Sequence, residues 1–457
     1  MTKIDIKLPH FYFATSLKSI KNMSKDPVIT AIDLGTDKCV TLIATVNPQT
    51  GVIKVVGVSA VPAKGIRKSM IVDLEQVMET VTQSVDAAER MAGFDVNSAY
   101  LAISGSHIKS INSKGVVAVA SPDQEITHED VARVIEAARA VSLPQDRRMI
   151  HVIPRFFKVD SQEGIRDPVG MTGVRLESEA HIITGMNTAL RNLEKCMNDL
   201  GLTVNGFVFS GLAAAEVTLS DTEKELGVVV VDIGAGSTSF CVFVEGALEY
   251  SGAIPIGARH VTQDIALGCR ISLDAAEKIK IALSSDKYQP LKRKAGESKE
   301  DLAKRRRKAD KLDLSKLGIE DTTEELSKRT LVEGIIVPRV KEMLKMIAEE
   351  LDKKDLLSQA PAGVVFCGGG AETISLVDVA KKVFRLPARV GVPTDIQGLV
   401  ADIKRPSYAS SIGLLLYGKR QGVGFSSKRS FNFNFLKALP IKSIVKNVGS
   451  MVKKLLP

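Results

Sequence analysis

Apolar and polar positions fall in blocks along this chain, and two of the blocks share one layout. Residues 28–46 read VITAIDLGTDKCVTLIATV, and residues 228–244 read VVVVDIGAGSTSFCVFV. In each, an apolar run meets an aspartate at its end, a glycine-containing turn follows, and a second apolar run begins at once. Short β-branched runs bounded by glycine turns predict buried strands, and the immediate resumption predicts a β-hairpin. A third block, GVVFCGGGAETISLVDVAKKVF from Gly363, reads as a buried strand over 364–367, a turn at Gly368, Gly369 and Gly370, and a helix from Glu372 onward. The segment LDAAEKIKIAL reads as a helix that places Glu277 and Lys280 one turn apart on one face.

The C-terminal end has a different period. From Pro440, residues Ile441, Ile444, Val445, Val448, Met451, Val452, Leu455 and Leu456 follow helical spacing, flanked by Lys442, Lys446, Lys453 and Lys454. Such a helix is about 24 Å long, too short to span a bilayer and suited to lying in its interface, with the lysines reaching anionic headgroups. It follows a glycine- and serine-containing linker over residues 421–438.

Composition narrows the class. The chain has 457 residues, enough for two to four compact units, with 44% hydrophobic and 25% charged residues, a soluble globular profile. No apolar run reaches the roughly 18 residues of a spanning helix. Residues 1–26 lack the apolar core of a signal peptide and are expected to form a loose tail, with Phe11, Tyr12 and Phe13 as a docking spot. Cys39, Cys196, Cys241, Cys269 and Cys367 form no Cys-x-x-Cys pair and are expected as reduced core thiols in a cytoplasm. The net charge of +9 is concentrated in a basic segment near residues 291–311 and in the C-terminal lysines. The basic segment has no interleaved aromatics for stacking on bases, so no nucleic-acid partner is expected.

The hairpin turns carry the candidate chemistry. Glycine permits φ > 0 and brings backbone N–H groups close to a ligand, and the neighbouring hydroxyls of Thr36 and Ser237 add donors. Asp33 and Asp232, at the ends of their strands, are placed to hold Mg²⁺ through its water shell. A glycine turn at a helix N-terminus suits an anion or the sugar edge of a nucleotide. No Gly-x-x-x-x-Gly-Lys-[Ser/Thr] loop is present, which excludes a Walker-type site.

Two Asp-x-Gly hairpins followed by a Gly-Gly-Gly strand turn resemble the actin, Hsp70 and sugar-kinase superfamily. The resemblance implies an α/β, two-domain actin-like (ribonuclease H-like) ATPase fold with a nucleotide in the cleft. It implies that Asp33, Gly35, Thr36 and Lys38 form one ATP phosphate loop, and Asp232, Gly234, Gly236 and Ser237 the other. Gly368, Gly369, Gly370 and Ala371, with Glu277 and Lys280, would hold the adenosine. SGLAAAEVTL resembles the connecting helix between domains, placing Glu216 near the cleft or on the surface. Over nearly the whole chain, segments such as LAISGSHI, IHVIPRFFKVDSQEGIRDPVGMTGVRLESEAHIIT and YASSIGLLLYGK resemble the FtsA family of bacterial cell-division proteins.

That narrower resemblance implies a domain-1 core at 27–82 and 167–215 with an FtsA-type subdomain inserted at 83–166. The domain-2 core would span 216–261 and 337–420, with a second lobe at 262–336 and an amphipathic membrane-targeting helix at 439–457. It implies ATP and Mg²⁺ as cofactors, self-association into filaments, and attachment of the FtsZ ring to the cytoplasmic face of the cell membrane at the division septum, alongside other division proteins. The FtsZ C-terminal tail would bind the 262–336 lobe, with Lys328, Arg329 and Arg339 as candidates. Hydrolysis would be slow or absent, since no general base is assignable. The sequence departs from many relatives at Ala235, where they carry glycine and where alanine would cost backbone freedom, and in its basic insert. Two other readings stay open: a PilM-like adaptor of type IV pilus assembly, and a small-molecule kinase of the same superfamily.

Overall fold

The computed structural model describes residues 27–421, apart from 121–122, 124, 286–296, 320–324, 395 and 399–402. The first predicted hairpin forms: β1 (Val28–Leu34) pairs antiparallel with β2 (Lys38–Val46) from Val28 opposite Thr45 to Leu34 opposite Cys39. β3 (Ile53–Pro62) extends it, and a two-residue turn then links β4 (Ile66–Arg67) to β5 (Met70–Ile71). Helix α1 (Leu74–Ala92) is capped by the Asp73 carboxylate, which accepts from Gln76 N, and stops at Gly93 with φ 70°. Its Val77, Val81, Val85 and Ala88 recur at helical spacing and bury against the sheet. Gly57 makes that approach possible, since a Cβ there would lie 2.6 Å from Ala88 O. β6 (Ser98–Ile103) then joins β1 in parallel.

Here the chain leaves the sheet. β7 (Lys109–Ala118), α2 (His128–Arg139), β8 (Arg147–Val159), β9 (Gln162–Ile165) and β10 (Arg175–Met186) form a separate sheet in the order β7–β10–β8–β9. Its own small core includes Ile126, Val134, Phe157 and Leu176. α3 (Asn187–Asp199) leads back to β11 (Thr203–Phe209), which pairs with β6, giving the sheet order β3–β2–β1–β6–β11. The sequence-based bounds of 83–166 for the inserted subdomain therefore need correcting. β6 carries main-sheet hydrogen bonds and β10 carries insert hydrogen bonds, and neither allegiance is visible in a local apolar run.

After α4 (Ser210–Thr218) and α5 (Asp221–Leu226) the plan repeats. β12 (Val228–Ile233), β13 (Thr238–Val244) and β14 (Ala247–Ile254) form an antiparallel meander. Helices α6 (Ala258–Cys269), α7 (Leu273–Ser285), α8 (Lys299–Asp310) and α9 (Val337–Asp352) follow, the last entered through a π-helical segment, Thr330–Ile336. β15 (Val364–Cys367) joins β12 in parallel, and α10 (Leu376–Phe384) leads to β16 (Ala388–Val390). The order β14–β13–β12–β15–β16 matches that of β3–β2–β1–β6–β11 in the first sheet. β17 (Gln397–Gly398) then adds to β3, and α11 (Ala409–Arg420) ends the described chain.

The two halves are joined by crossing helices. α4 packs under β12 and β13, whereas α11 packs against β1, β2 and β6. The helices touch backbone to backbone, because a Cβ on Gly413 would lie 1.9 Å from Ala213 O. α11 thus belongs with the first sheet, although residues 337–420 were expected wholly in the second domain. Glu216 sits at this junction and away from the cleft, paired with Lys224 at 3.9 Å and with Arg420. The helix expected from Glu372 starts at Leu376, because the glycines first make a 3₁₀ turn over Gly369–Glu372. The basic insert is described from residue 297 onward and contains the exposed helix α8, none of whose side chains is buried. The 1–26 tail, the linker 422–438 and the membrane-helix residues Ile441, Lys442, Ile444, Val445, Lys446, Val448, Met451, Val452, Lys453, Lys454, Leu455 and Leu456 lie outside the described residues.

A second junction holds the insert to the edge of the second sheet. His181 Nε2 is 2.6 Å from Ser251 Oγ, and its Nδ1 is 2.6 Å from Asn112 Oδ1. Ser110 Oγ donates to Ser251 O at 2.7 Å, and Arg155 bridges Glu179 and Glu249. Burial, with Arg155 nearby, pushes His181 down to about 3, so it stays neutral at this seam. Removing Arg155 would leave the half-buried Glu179 and Glu249 carboxylates without the guanidinium they share. Arg155→Ala is expected to cost about 3 kcal/mol, checked by urea unfolding, and Arg155→Lys to recover part of it.

His151 gives a pH test. Its Nε2 accepts from Phe209 N at 3.1 Å, and burial pushes its pKa down to about 4. The unfolded chain binds a proton below the usual histidine pKa that the folded chain refuses, so His151 costs stability as pH falls from about 6.5 toward 4. His151→Asn keeps an acceptor without that proton. The variant is expected to gain about 1–2 kcal/mol on the native chain between pH 7 and pH 5, measured as the change in the difference of their unfolding free energies.

Candidate nucleotide-binding site

The two hairpin turns are superimposable in their bonding. Gly35 N donates to Lys38 O at 3.0 Å, and Gly234 N donates to Ser237 O at 3.0 Å. In both, a Cβ on the glycine would lie 3.0 Å from that same carbonyl. The second turn is also tied to the start of α6, where Ala258 N donates to Gly234 O and Arg259 N to Ala235 O, each at 2.9 Å.

Left-handed φ is not what these turns need. Among the turn glycines only Gly368, at φ 80°, has that geometry; Gly35, Gly234 and Gly236 do not. What they need is space. A Cβ on Gly236 would stand 2.5 Å from Thr36 Oγ1 and 3.0 Å from Lys68 Cα, so one turn rests directly on the other. Ala235, outside the left-handed region, makes no such demand, and its methyl does not carry the expected conformational cost.

Between the turns lies a cavity of 580 Å³. Asp33, Gly35, Thr36, Lys38, Asp232, Gly234, Gly236, Ser237, Glu277, Lys280, Gly368, Gly369 and Gly370 all line it. Ala371 does not; its methyl packs in the core of the second domain. At one end Lys280 Nζ, itself largely buried, reaches Glu277 Oε2 at 2.7 Å and Thr262 Oγ1 at 2.9 Å. Leu273 and Ile281 expose apolar surface into the same wall, suited to a flat ring. Gly368 to Gly370 line the cavity with no side chains, and a Cβ on Gly368 would lie 2.4 Å from Asp232 Oδ1, so this turn adjoins the aspartates.

At the other end the two aspartates share a desolvated floor. Burial raises both, and Asp232 is carried to about 7 by burial and by the Asp33 carboxylate beside it. Lys38, whose own pKa is lowered by burial, partly offsets both charges, and Ser411 Oγ donates to Asp33 Oδ2 at 3.2 Å. Lys38 Nζ sits 4.1 Å over the Tyr408 ring. Two close carboxylates with no full counter-charge fit a hard divalent cation. Among the described residues no cluster of three or more ligand side chains exists, so such an ion would be held by Asp33 and Asp232 through water together with ligand phosphates, as Mg²⁺ prefers.

Several residues of the cavity escaped the sequence reading. Ser69 Oγ is 2.7 Å from Ser237 Oγ, Ser104 Oγ donates to Ser69 Oγ at 3.0 Å, and Ser69 N donates to Thr36 Oγ1 at 3.0 Å. Ser210, Ser407, Ser410 and Arg405 also line it. No local pattern marks these serines, which come from four separate segments. Of the cations singled out in and beside the 262–336 lobe, Arg339 is already held by Asp264 and Glu342, and Arg329 by Glu333.

Two copies of one five-stranded sheet, facing each other through paired Asp-x-Gly hairpins, define an actin-like ATPase fold. The chain is similar to the solved PilM-PilN type IV pilus biogenesis complex with a TM-score of 0.56 at 14% identity, covering 86% of this chain and 98% of that one, a likeness of fold. Family profiles match at residues 105–184 ("SHS2 domain inserted in FTSA") and 229–413 ("Cell division protein FtsA"). Proteins named "Cell division protein FtsA" are similar along most of their length. The one from Pseudomonas aeruginosa is 36% identical over 87% of this chain and 91% of its own; that from Escherichia coli K12 is 33% identical over 94% and 96%. The chain belongs to the FtsA family of cell-division proteins.

Asp232→Asn separates the two demands on the cleft floor. The unfolded chain releases the Asp232 proton near the usual carboxylate pKa and the folded chain only near 7, so Asp232 costs stability as pH rises from about 4 to about 7, and its removal is expected to raise the unfolding free energy of the free protein by about 4 kcal/mol at pH 8. The same change is expected to abolish the extra thermal stabilisation that Mg²⁺ adds to ATP, measured by scanning calorimetry with and without a chelator.

Proposed function

We propose that the chain binds ATP with Mg²⁺ between its two hairpins, assembles into filaments, and attaches the FtsZ ring to the cytoplasmic face of the membrane at the septum. The observation that carries this reading is the duplicated hairpin with two facing aspartates, in a chain whose relatives are division proteins. Asp33 and Asp232 hold the metal's water shell, Gly35, Thr36, Lys38, Gly234, Gly236 and Ser237 present donors to the phosphates, and the Glu277–Lys280 side takes the adenosine. Turnover is slow or absent, and the nucleotide's role is to set the relation of the two halves.

Membrane attachment rests on the sequence. The stripe from Ile441 to Leu456 with its flanking lysines supports an interfacial helix, and each lysine near an anionic surface contributes about 1 kcal/mol. One such helix binds reversibly, and assembly multiplies its hold through avidity. The FtsZ C-terminal tail is assigned to the 262–336 lobe. Lys328, Arg329 and Arg339 are its candidate contacts, and Arg339 also braces α6 to α9 through Asp264.

The test is electron microscopy of the full chain on an anionic lipid monolayer with Mg-ATP, beside a chain truncated after Gly424. Filaments on the monolayer with the full chain alone are the expected result. A full chain that binds lipid without assembling would remove the polymer and keep the tether, and one that ignores lipid would remove the tether.

A further inference from the structure

A second cavity, of 760 Å³, lies behind the phosphate loops. Thr36, Gly236 and Arg259 line both cavities, whereas Arg67 and Lys68 line the second alone, and the closest approach across the partition is the Thr36 hydroxyl set against Gly236. The second cavity is cationic. Arg67 and Lys68 enter it from the β4–β5 turn, and Arg259 and His260 from the first turn of the 12-residue helix α6. Among the described residues the side chains of Arg67, Lys68 and Arg259 have no hydrogen-bond or ion-pair partner. The one carboxylate in the lining, Asp73, is spent on capping α1, with its oxygens accepting from Gln76 N at 3.1 Å and Gln76 Nε2 at 2.9 Å. Three cations with no ion-pair partner against one carboxylate committed to a helix cap, on a concave surface beside a helix N-terminus, form a net-positive environment for an oxyanion.

The turn that delivers Lys68 is also bonded to the nucleotide cleft. Lys68 and Ser69 are consecutive non-glycine residues at φ 49° and 60°, a left-handed geometry that residues with a Cβ disfavour. It is held by Ser69 N on Thr36 Oγ1 and by the Ser69–Ser237 and Ser69–Ser104 hydroxyl contacts. The hydroxyls that line the cleft therefore also set where Lys68 stands.

We propose that this second cavity is an oxyanion site for inorganic phosphate, separated from the nucleotide cleft by Thr36 and Gly236 and coupled to it through the Ser69 turn. The inference rests on the nucleotide reading of the first cavity, and the experiment keeps the two apart. Inorganic phosphate is titrated into the full chain with ADP and Mg²⁺ at saturation, followed by ³¹P line broadening. Chloride at equal ionic strength controls for screening. The double variant Arg67→Gln/Lys68→Gln is compared, because neither residue lines the nucleotide cleft. ADP affinity and thermal stability of each protein are measured in parallel.

The expected result is phosphate binding that persists with ADP in place, survives chloride, and weakens by about tenfold or more in the double variant while ADP affinity stays as in the native chain. The proposal is overturned if phosphate competes with ADP, if chloride abolishes binding, or if a folded double variant binds phosphate as well as the native chain does. Failure of ADP to bind would sink the nucleotide reading by itself. Phosphate binding sensitive to Arg67 and Lys68 in the absence of nucleotide would still support the site, and its absence would overturn it.

Discussion

Two half-buried carboxylates brought to the floor of one cleft are the constraint on which the rest of this structure depends. Asp33 and Asp232 end equivalent strands of two separate sheets, and burial together with the Asp33 charge carries the Asp232 carboxyl to about 7. That arrangement costs free energy in the absence of a cation, and the surrounding architecture keeps it from relaxing. Each aspartate sits on a strand whose hairpin partner and parallel neighbour are buried, so neither end can retreat without unpairing a sheet. A ligand that supplies positive charge and fills the gap recovers this cost on binding. The folded chain is thereby prepared for its ligand.

The relation between the halves is maintained by contacts that tolerate little adjustment. Gly413 places α11 against the backbone of α4, Gly236 places one phosphate loop against the other, and the Arg155 and His181 clusters fasten the insert to the second sheet. Each is a close approach or a desolvated polar contact, and each reports on the angle between the sheets. Nucleotide in the cleft would act on the same angle from within. In a protein proposed to assemble, such coupling gives a small ligand influence over surfaces far from it, because packed contacts of this kind shift between discrete arrangements.

Much of the site was legible in the sequence because its parts are local. Asp33 and Asp232 announce themselves at the ends of β-branched runs, and the hairpins form as the resumed apolar pattern requires. Gly368 to Gly370 follow a buried strand as expected. Other parts were misread for a physical reason. The glycines were expected to serve left-handed turns, yet Gly236 is required by a residue two hundred positions away, Thr36. Ser69, Ser104, Ser210 and Ser410 come from segments with no shared pattern, and polar residues on loops give no sign of which cavity they will line. Ala371 was grouped with its glycine neighbours, but the 3₁₀ turn rotates it into the core.

The sequence by itself determined the elements, their duplication and the residue types that could meet a phosphate or a metal, since strand period, glycine turns and terminal carboxylates are properties of a few neighbouring residues. It also carried the family. Only the tertiary structure decided which sheet claims β6, β10 and α11, that Glu216 braces a helix junction, and that Asp33 and Asp232 share one desolvated floor. Those outcomes depend on hydrogen bonds and contacts between segments far apart in the chain, and on the removal of water between them, which no local pattern records.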